Sequence, residues 1–183
     1  MLEAVEDGWV DSLNPALNHG SDGFLFVGVL SGQVKGMSAP RKLRSFVAFD
    51  LLGALPPGAS VAGAWLYGYP TTLSNPDAAV IFRNAATFEE STLTWQNQPS
   101  AATVPSPLVW HLPPSAWGWT AQEVTAFVED CMANRGGQCS WQLRWVNEVD
   151  NTVTAVVAFQ SKEEQSAQLL TRRMYLEVHY VLP

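Results

Sequence analysis

The sequence predicts an all-β fold, an antiparallel sandwich or barrel with one short helix. Three observations carry that prediction. Short apolar runs recur along the chain, Gly, Pro, Asn and Ser separate them, and only one stretch repeats with the period of a helix.

The elements follow in order. Phe24 to Leu30 is an apolar run bounded by Gly23 and the Ser31-Gly32 turn. Ser45 to Leu51 and Ser60 to Tyr69 read as strands on either side of the Leu55-Pro-Pro-Gly loop, and Val80 to Asn84 is a shorter one. From Phe88 to Pro99, the alternation Thr92, Leu93, Thr94, Trp95 has the period of a half-buried strand. An amide-rich turn closed by Pro99 follows, because proline cannot continue a ladder. The helix is expected over about 120–132, with Thr120 and Glu123 as a capping box. Val124, Phe127, Val128 and Cys131 form its single apolar stripe, and Gly136-Gly137 ends it. Ser140 to Val146, Val153 to Gln160 and Arg173 to Leu182 close the chain as strands. In the last, Met174, Leu176, Val178 and Tyr180 share one face, and Tyr175, Glu177, His179 and Val181 the other.

Length and charge narrow the function. The 183 residues suit a single domain, 1–183, with a real core. Only 15% are charged against 47% hydrophobic, so the sheets are expected to be covered on both faces or met by a partner or ligand. A formal charge of −7 argues against nucleic acid, whose phosphates need a basic footprint. No run of apolar residues is long enough to insert in a membrane. The start, Met-Leu-Glu-Ala-Val-Glu-Asp, has no basic region leading into an apolar stretch, so no signal peptide is expected. An excised extracellular module and a virion protein that leaves the cell by another route both fit. Cys131 and Cys139 are either two buried thiols or a disulfide, the latter in an oxidising compartment.

Signatures of catalysis are missing. There is no Gly-x-Ser-x-Gly elbow, no His-Glu-x-x-His helix and no phosphate loop. His179 reads as a structural imidazole and His19 as part of an Asn-His-Gly turn. The adjacent pairs Glu89-Glu90 and Glu163-Glu164 are expected in ion pairs rather than as an acid–base couple, since neighbours on a strand point apart. No cofactor is called for. A structural calcium is the one metal the chain could hold, on Asp7 and Asp11 with Asn14 and Asn18, although their spacing matches no loop motif.

Of the eight tryptophans, Trp65, Trp95, Trp141 and Trp145 sit in strand patterns and are assigned to the core. Trp9 lies near the N-terminus. Trp110, Trp117 and Trp119 lie in or beside a proline-rich loop from Ser100 to Gly118, where an open indole face suits a sugar ring or a protein pocket. A second long loop, from Ser31, brings Lys35, Arg41 and Lys42 as a local basic stretch.

Several blocks together resemble the DNRLRE domain family. They are Asp7-Gly-Trp-Val-Asp11, Arg44-Ser-Phe-Val-Ala-Phe-Asp-Leu51, Leu55-Pro-Pro-Gly-Ala59, Glu90-Ser-Thr-Leu-Thr-Trp-Gln-Asn-Gln-Pro99 and Phe159-Gln-Ser-Lys-Glu163. The resemblance spans nearly the whole chain and implies a jelly-roll β-sandwich, a non-catalytic module of secreted and surface proteins. It also implies kinship with carbohydrate-binding modules for acidic polysaccharides, and framework roles for Arg44, Asp50, Glu90, Trp95 and Glu163. The chain departs from the pattern at Ala48, where the family has Arg.

Two functions therefore compete. The first is a non-catalytic glycan-binding module, extracellular or on a surface, holding polysaccharide with Trp110, Trp117, Trp119, Lys35, Arg41 and Lys42. The second is a structural subunit of a virion (decoration, head or tail protein) or surface filament, joined to other subunits through apolar loops.

Overall fold

The computed structural model describes residues 1–31, 40–75, 77–150, 152–166 and 169–182. Two antiparallel sheets pack face to face as the expected sandwich. The smaller sheet runs in the order β1 (Leu2–Glu3), β13 (Tyr175–Val181), β5 (Ser60–Gly68), β10 (Thr120–Glu123). The larger runs β6 (Pro70–Ser74), β12 (Ala155–Gln160), β3 (Phe24–Leu30), β4 (Arg41–Asp50), β11 (Gln138–Trp145), β7 (Ala78–Asn84), β8 (Ala101–Ala102). To this sheet β2 (Glu6–Asp11) adds along β4, and β9 (Leu108–His111) along β7.

Period-two alternation decides what each strand buries. From the larger sheet Leu25, Val27, Val47, Phe49, Ile81, Trp141, Leu143, Val157 and Phe159 turn inward, and Ala64, Leu66 and Leu176 meet them from the smaller sheet. Fully burying an aliphatic or Phe side chain of this kind contributes roughly 1.5–3 kcal/mol. A second cluster, Val10, Phe46 and Leu93 with Phe88 and Trp95 against it, lies outside this main core.

The structure departs from the expected elements in three respects. The helix, α1, spans Thr125–Asn134 rather than 120–132. Thr120–Glu123 is instead strand β10, paired with Gly68 to Trp65 of β5, so no capping box forms. The ladder serves the backbone groups that a box would have served. At the helix start the Thr125 N–H donates to Glu123 Oε1 at 2.9 Å, and Thr125 Oγ1 accepts from the Ala64 N–H at 2.9 Å. The apolar stripe is as expected, with Val124, Phe127, Val128 and Cys131 all buried.

The second difference is at Thr92–Trp95, which is turn rather than strand. Asn97 accounts for it: its Oδ1 accepts from the Thr94 N–H at 2.7 Å and its Nδ2 donates to the Thr92 carbonyl at 2.8 Å. The side chain thus takes the bonds that a neighbouring strand would make. Third, β2, β6 and β9 are strands the sequence pattern did not yield. β9 is four residues long, and its flanks Pro105, Pro107, Pro113 and Pro114 gave the whole stretch the look of a loop.

Cys131 of α1 and Cys139 of β11 form a disulfide, with Cα atoms 5.2 Å apart. Closing so short a loop stabilises by about 2–3 kcal/mol in the chain-entropy account.

Candidate functional site

The tryptophans divide differently from the strand pattern. Trp9, Trp110, Trp141 and Trp145 are buried. Trp65 and Trp95 are half-buried, while Trp117 and Trp119 are 60% and 44% exposed. Trp110 is thus corrected from a loop ligand to a core residue. β9 turns its indole inward to stack on Phe159 at 5.4 Å, and its Nε1 donates to Thr120 Oγ1 at 3.1 Å. Trp65 is corrected in the other sense: its neighbours Ala64 and Leu66 face the core, so alternation turns it outward.

The outer face of the smaller sheet gathers the exposed aromatics. Register places Tyr67 of β5 directly opposite Tyr175 of β13, on the solvent side, and their rings stack at 4.7 Å. Trp119 stands edge-on to Tyr175 at 5.2 Å and to Tyr69 at 5.4 Å. Trp117 packs against Tyr69 at 6.5 Å, and the Arg172 guanidinium lies over the Tyr69 ring at 4.7 Å and the Trp117 ring at 5.6 Å. Beside Trp119 and Tyr175 opens a cleft of about 390 Å³, lined also by Glu3, Thr171 and Arg173.

Trp117 adopts φ of 70°, a backbone region that bulky residues rarely enter. Its N–H donates to the Pro70 carbonyl at 2.7 Å, which holds the strained turn and keeps the indole outward. Such strain persists only where surrounding contacts fix it, and it concentrates at functional sites.

Two basic residues of this part of the chain are paired internally. Arg41 binds the buried Asp11 at 2.8 Å, and Arg44 binds Glu148 at 2.6 Å. Lys42 is half-buried in β4, its N–H donating to Ser12 Oγ at 2.8 Å, and Lys35 lies outside the described residues. The oxygens of Asp11 are also taken by the Leu13 N–H and Asn14 Nδ2. Burial works against its charge, yet these donors and Arg41 outweigh burial and hold the carboxyl below the usual range. Asn18 Nδ2 donates to the carbonyls of Glu90 and Leu93. Asn18 Oδ1 accepts the Gly20 N–H at 3.2 Å, so of the suggested calcium ligands Asp11 and Asn18 have their oxygens bonded within the chain. Among the described residues no three His, Cys, Asp or Glu converge as a metal site.

Asp7 is buried beside a partly exposed ionic knot that adjoins Asn18. Lys162 Nζ pairs with Glu90 at 2.8 Å and also with Glu163. Glu90 Oε2 accepts the Asp7 N–H at 3.0 Å, and Asp7 Oδ2 accepts the Lys162 N–H at 2.7 Å. Burial pushes the Asp7 carboxyl up to about 7, with the Lys162 N–H opposing and the Glu90 charge adding to it. Nearby, Arg44 lies over the Trp95 ring at 4.5 Å and donates to Gln98 at 3.0 Å. Asp50 accepts the Leu52 N–H at 2.8 Å in a turn. Each of the five residues assigned to the framework therefore has protein partners here.

Sequence reasoning found Trp117 and Trp119 but not Tyr67, Tyr69, Tyr175 or Arg172 beside them. The signal was present for two: Tyr67 and Tyr175 each alternate with an apolar inward neighbour. Their meeting across strands depends on a register that the sequence does not display.

Set against known proteins, residues 1–173 match the profile of carbohydrate-binding module family 96. No curated protein is similar enough in sequence to match the chain. The match covers nearly all of the chain, which belongs to carbohydrate-binding module family 96.

Proposed function

We propose that this member of family 96 is a non-catalytic module that holds polysaccharide on the outer face of the smaller sheet. The observation that carries the reading is the joining of Tyr67, Tyr69, Trp117, Trp119 and Tyr175 into one outward patch. Ring faces of this kind pack against the apolar face of a pyranose, and the Arg172 guanidinium and tyrosine hydroxyls supply donors for its oxygens.

Two further points support it. Of the two adjacent glutamate pairs weighed for acid–base chemistry, one member of each, Glu90 and Glu163, is paired with Lys162. The Cys131–Cys139 disulfide suits an oxidising compartment, in keeping with an extracellular or surface setting. Nothing in the family match favours a virion or filament subunit.

Affinity electrophoresis through gels containing soluble polysaccharides tests the reading. A polymer should retard the wild type, and Trp119→Ala and Trp117→Ala should migrate faster in the same gel. Unchanged retardation of both variants, or no retardation by any polymer, would overturn it.

A further inference from the structure

We infer that the larger sheet carries a second ligand site on its outer face, where Arg144, beside Arg44, takes the carboxylate of a uronate residue. This site is separate from the aromatic patch, which lies on the other sheet.

Register builds it. Leu143 of β11 stands opposite Ser45 of β4, which brings the next pair, Arg144 and Arg44, side by side. Leu143 and Trp145 are buried, so alternation turns Arg144 outward. Arg144 is in turn opposite Val80 of β7, and Val80 is opposite Val109 of β9. One rung across four strands therefore reads Arg44, Arg144, Val80, Val109, over about 14 Å at the usual strand spacing. Two guanidiniums occupy one half of it. The other half is an apolar strip that ends at Val109, which is 46% exposed.

Charge along this rung does not balance. Arg44 binds Glu148 through both Nε and Nη2, and its Nη1 donates to Gln98. Arg144 makes no ion pair of its own among the described residues. Its Nε donates to Gln142 Oε1 at 2.7 Å, and its guanidinium lies over the Phe82 ring at 5.1 Å. Burial and the Arg44 charge hold Arg144 below the usual range of an arginine, with Glu148 opposing. Two cations and one carboxylate thus leave a positive charge half-buried, in a chain whose formal charge is −7.

An arriving carboxylate relieves that imbalance. Gln142 and Phe82 fix the plane of the Arg144 guanidinium, and its outer N–H groups match the two oxygens of a carboxylate. The sugar ring that bears the carboxylate then lies over Val80 and Val109, whose methyl groups suit the apolar face of a pyranose. A neutral sugar would cover the same valines and leave the charge unpaired.

The test uses a background without the patch, Trp117→Ala with Trp119→Ala. Hexagalacturonate and hexamannuronate are titrated into it calorimetrically. A neutral galactan hexamer serves as control, and hexaglutamate supplies carboxylates without a sugar ring. At least one uronate hexamer should bind the background, more weakly as salt is raised, and the neutral hexamer should not. Arg144→Gln should weaken that binding at least about tenfold, the worth of a hydrogen bond to a charged group. Glu148→Gln removes the competing carboxylate and should tighten it, a gain that misfolding cannot imitate.

If the uronates bind the wild type but not the background, the patch stands and the second site falls. If the background binds them as well as the wild type does and Arg144→Gln abolishes binding, the second site stands and the patch is not where uronates bind. Unchanged affinity in Arg144→Gln, or no uronate binding by any form, overturns the second site. Hexaglutamate binding as tightly as the uronates overturns the sugar as its ligand.

Discussion

The two outer faces of this sandwich hold similar residues in opposite settings. On the larger sheet, the turn segment 88–99 lies across β2 and β4. Phe88, Leu93 and Trp95 pack there against Val10 and Phe46. Arg44 then covers Trp95, tied by Glu148 and Gln98. On the smaller sheet, Trp117, Trp119 and the tyrosines gather without any segment above them among the described residues. The difference lies in what surrounds an indole. Where the chain supplies a cover and an ion pair, tryptophan is architecture. Where it supplies only other ring edges and one guanidinium, tryptophan stays open to solvent.

That contrast can be broken most severely at Leu93, which anchors the covering segment and is 2% exposed. Leu93→Ala should cost about 2–5 kcal/mol, read as a lower midpoint in urea. It should leave polysaccharide retardation unchanged below the unfolding range. Next is the ionic knot that clamps the same segment. Glu90→Gln removes the charge that pairs with Lys162 and should cost about 1–3 kcal/mol, again without a change in glycan affinity.

Asp7 gives a pH-dependent version of the comparison. Its carboxyl holds a proton up to about 7 when folded and loses it near 3.8 when unfolded. Between those values the folded chain binds more protons, so the contribution of Asp7 to stability falls as pH rises through that window. Asp7→Asn removes that dependence. Unfolding midpoints at pH 4 and pH 8 should show the variant gaining on the wild type only at the higher pH, by a few kcal/mol. Asp11, whose carboxyl is held low by Arg41 against the effect of burial, contributes in the opposite sense and is lost in acid. It is common to both proteins and cancels in the difference. The smallest effect on stability belongs to the open face: Trp119→Ala should cost about 1 kcal/mol, the worth of its edge-on ring contacts. The same variant should lose about tenfold in polysaccharide affinity, so the two readouts separate the faces.

The sandwich was readable because Phe24–Leu30, Ser60–Gly68 and Tyr175–Val181 fold as the strands their apolar patterns suggest, although a bulge between His179 and Tyr180 breaks the expected alternation of the last. Three features were not readable, each for a physical reason. Thr92–Trp95 alternates like a strand, but Asn97 satisfies its backbone locally. Trp110 looked exposed because prolines flank a strand of four residues, and the ladder with β7 that buries it is a long-range pairing. Thr120 and Glu123 have the spacing of a helix cap, yet β5 offers their backbone a better partner. The candidate site was visible only in part. Trp117 and Trp119 stood out by residue type, whereas Tyr67 and Tyr175 become neighbours through cross-strand register.

The edge-on packing of Tyr69, Trp119 and Tyr175, with the Arg172 guanidinium over the Tyr69 ring, has a consequence for how binding energy is shared. Each ring is held in place by the next, and aromatic side chains have few rotors to freeze, so little order has to be created when a sugar arrives. The rings should therefore behave as one cooperative unit. Removing Trp119 would loosen Tyr69 and Tyr175 as well, and the Tyr69→Ala, Trp119→Ala double variant should lose less affinity than the two single losses added together.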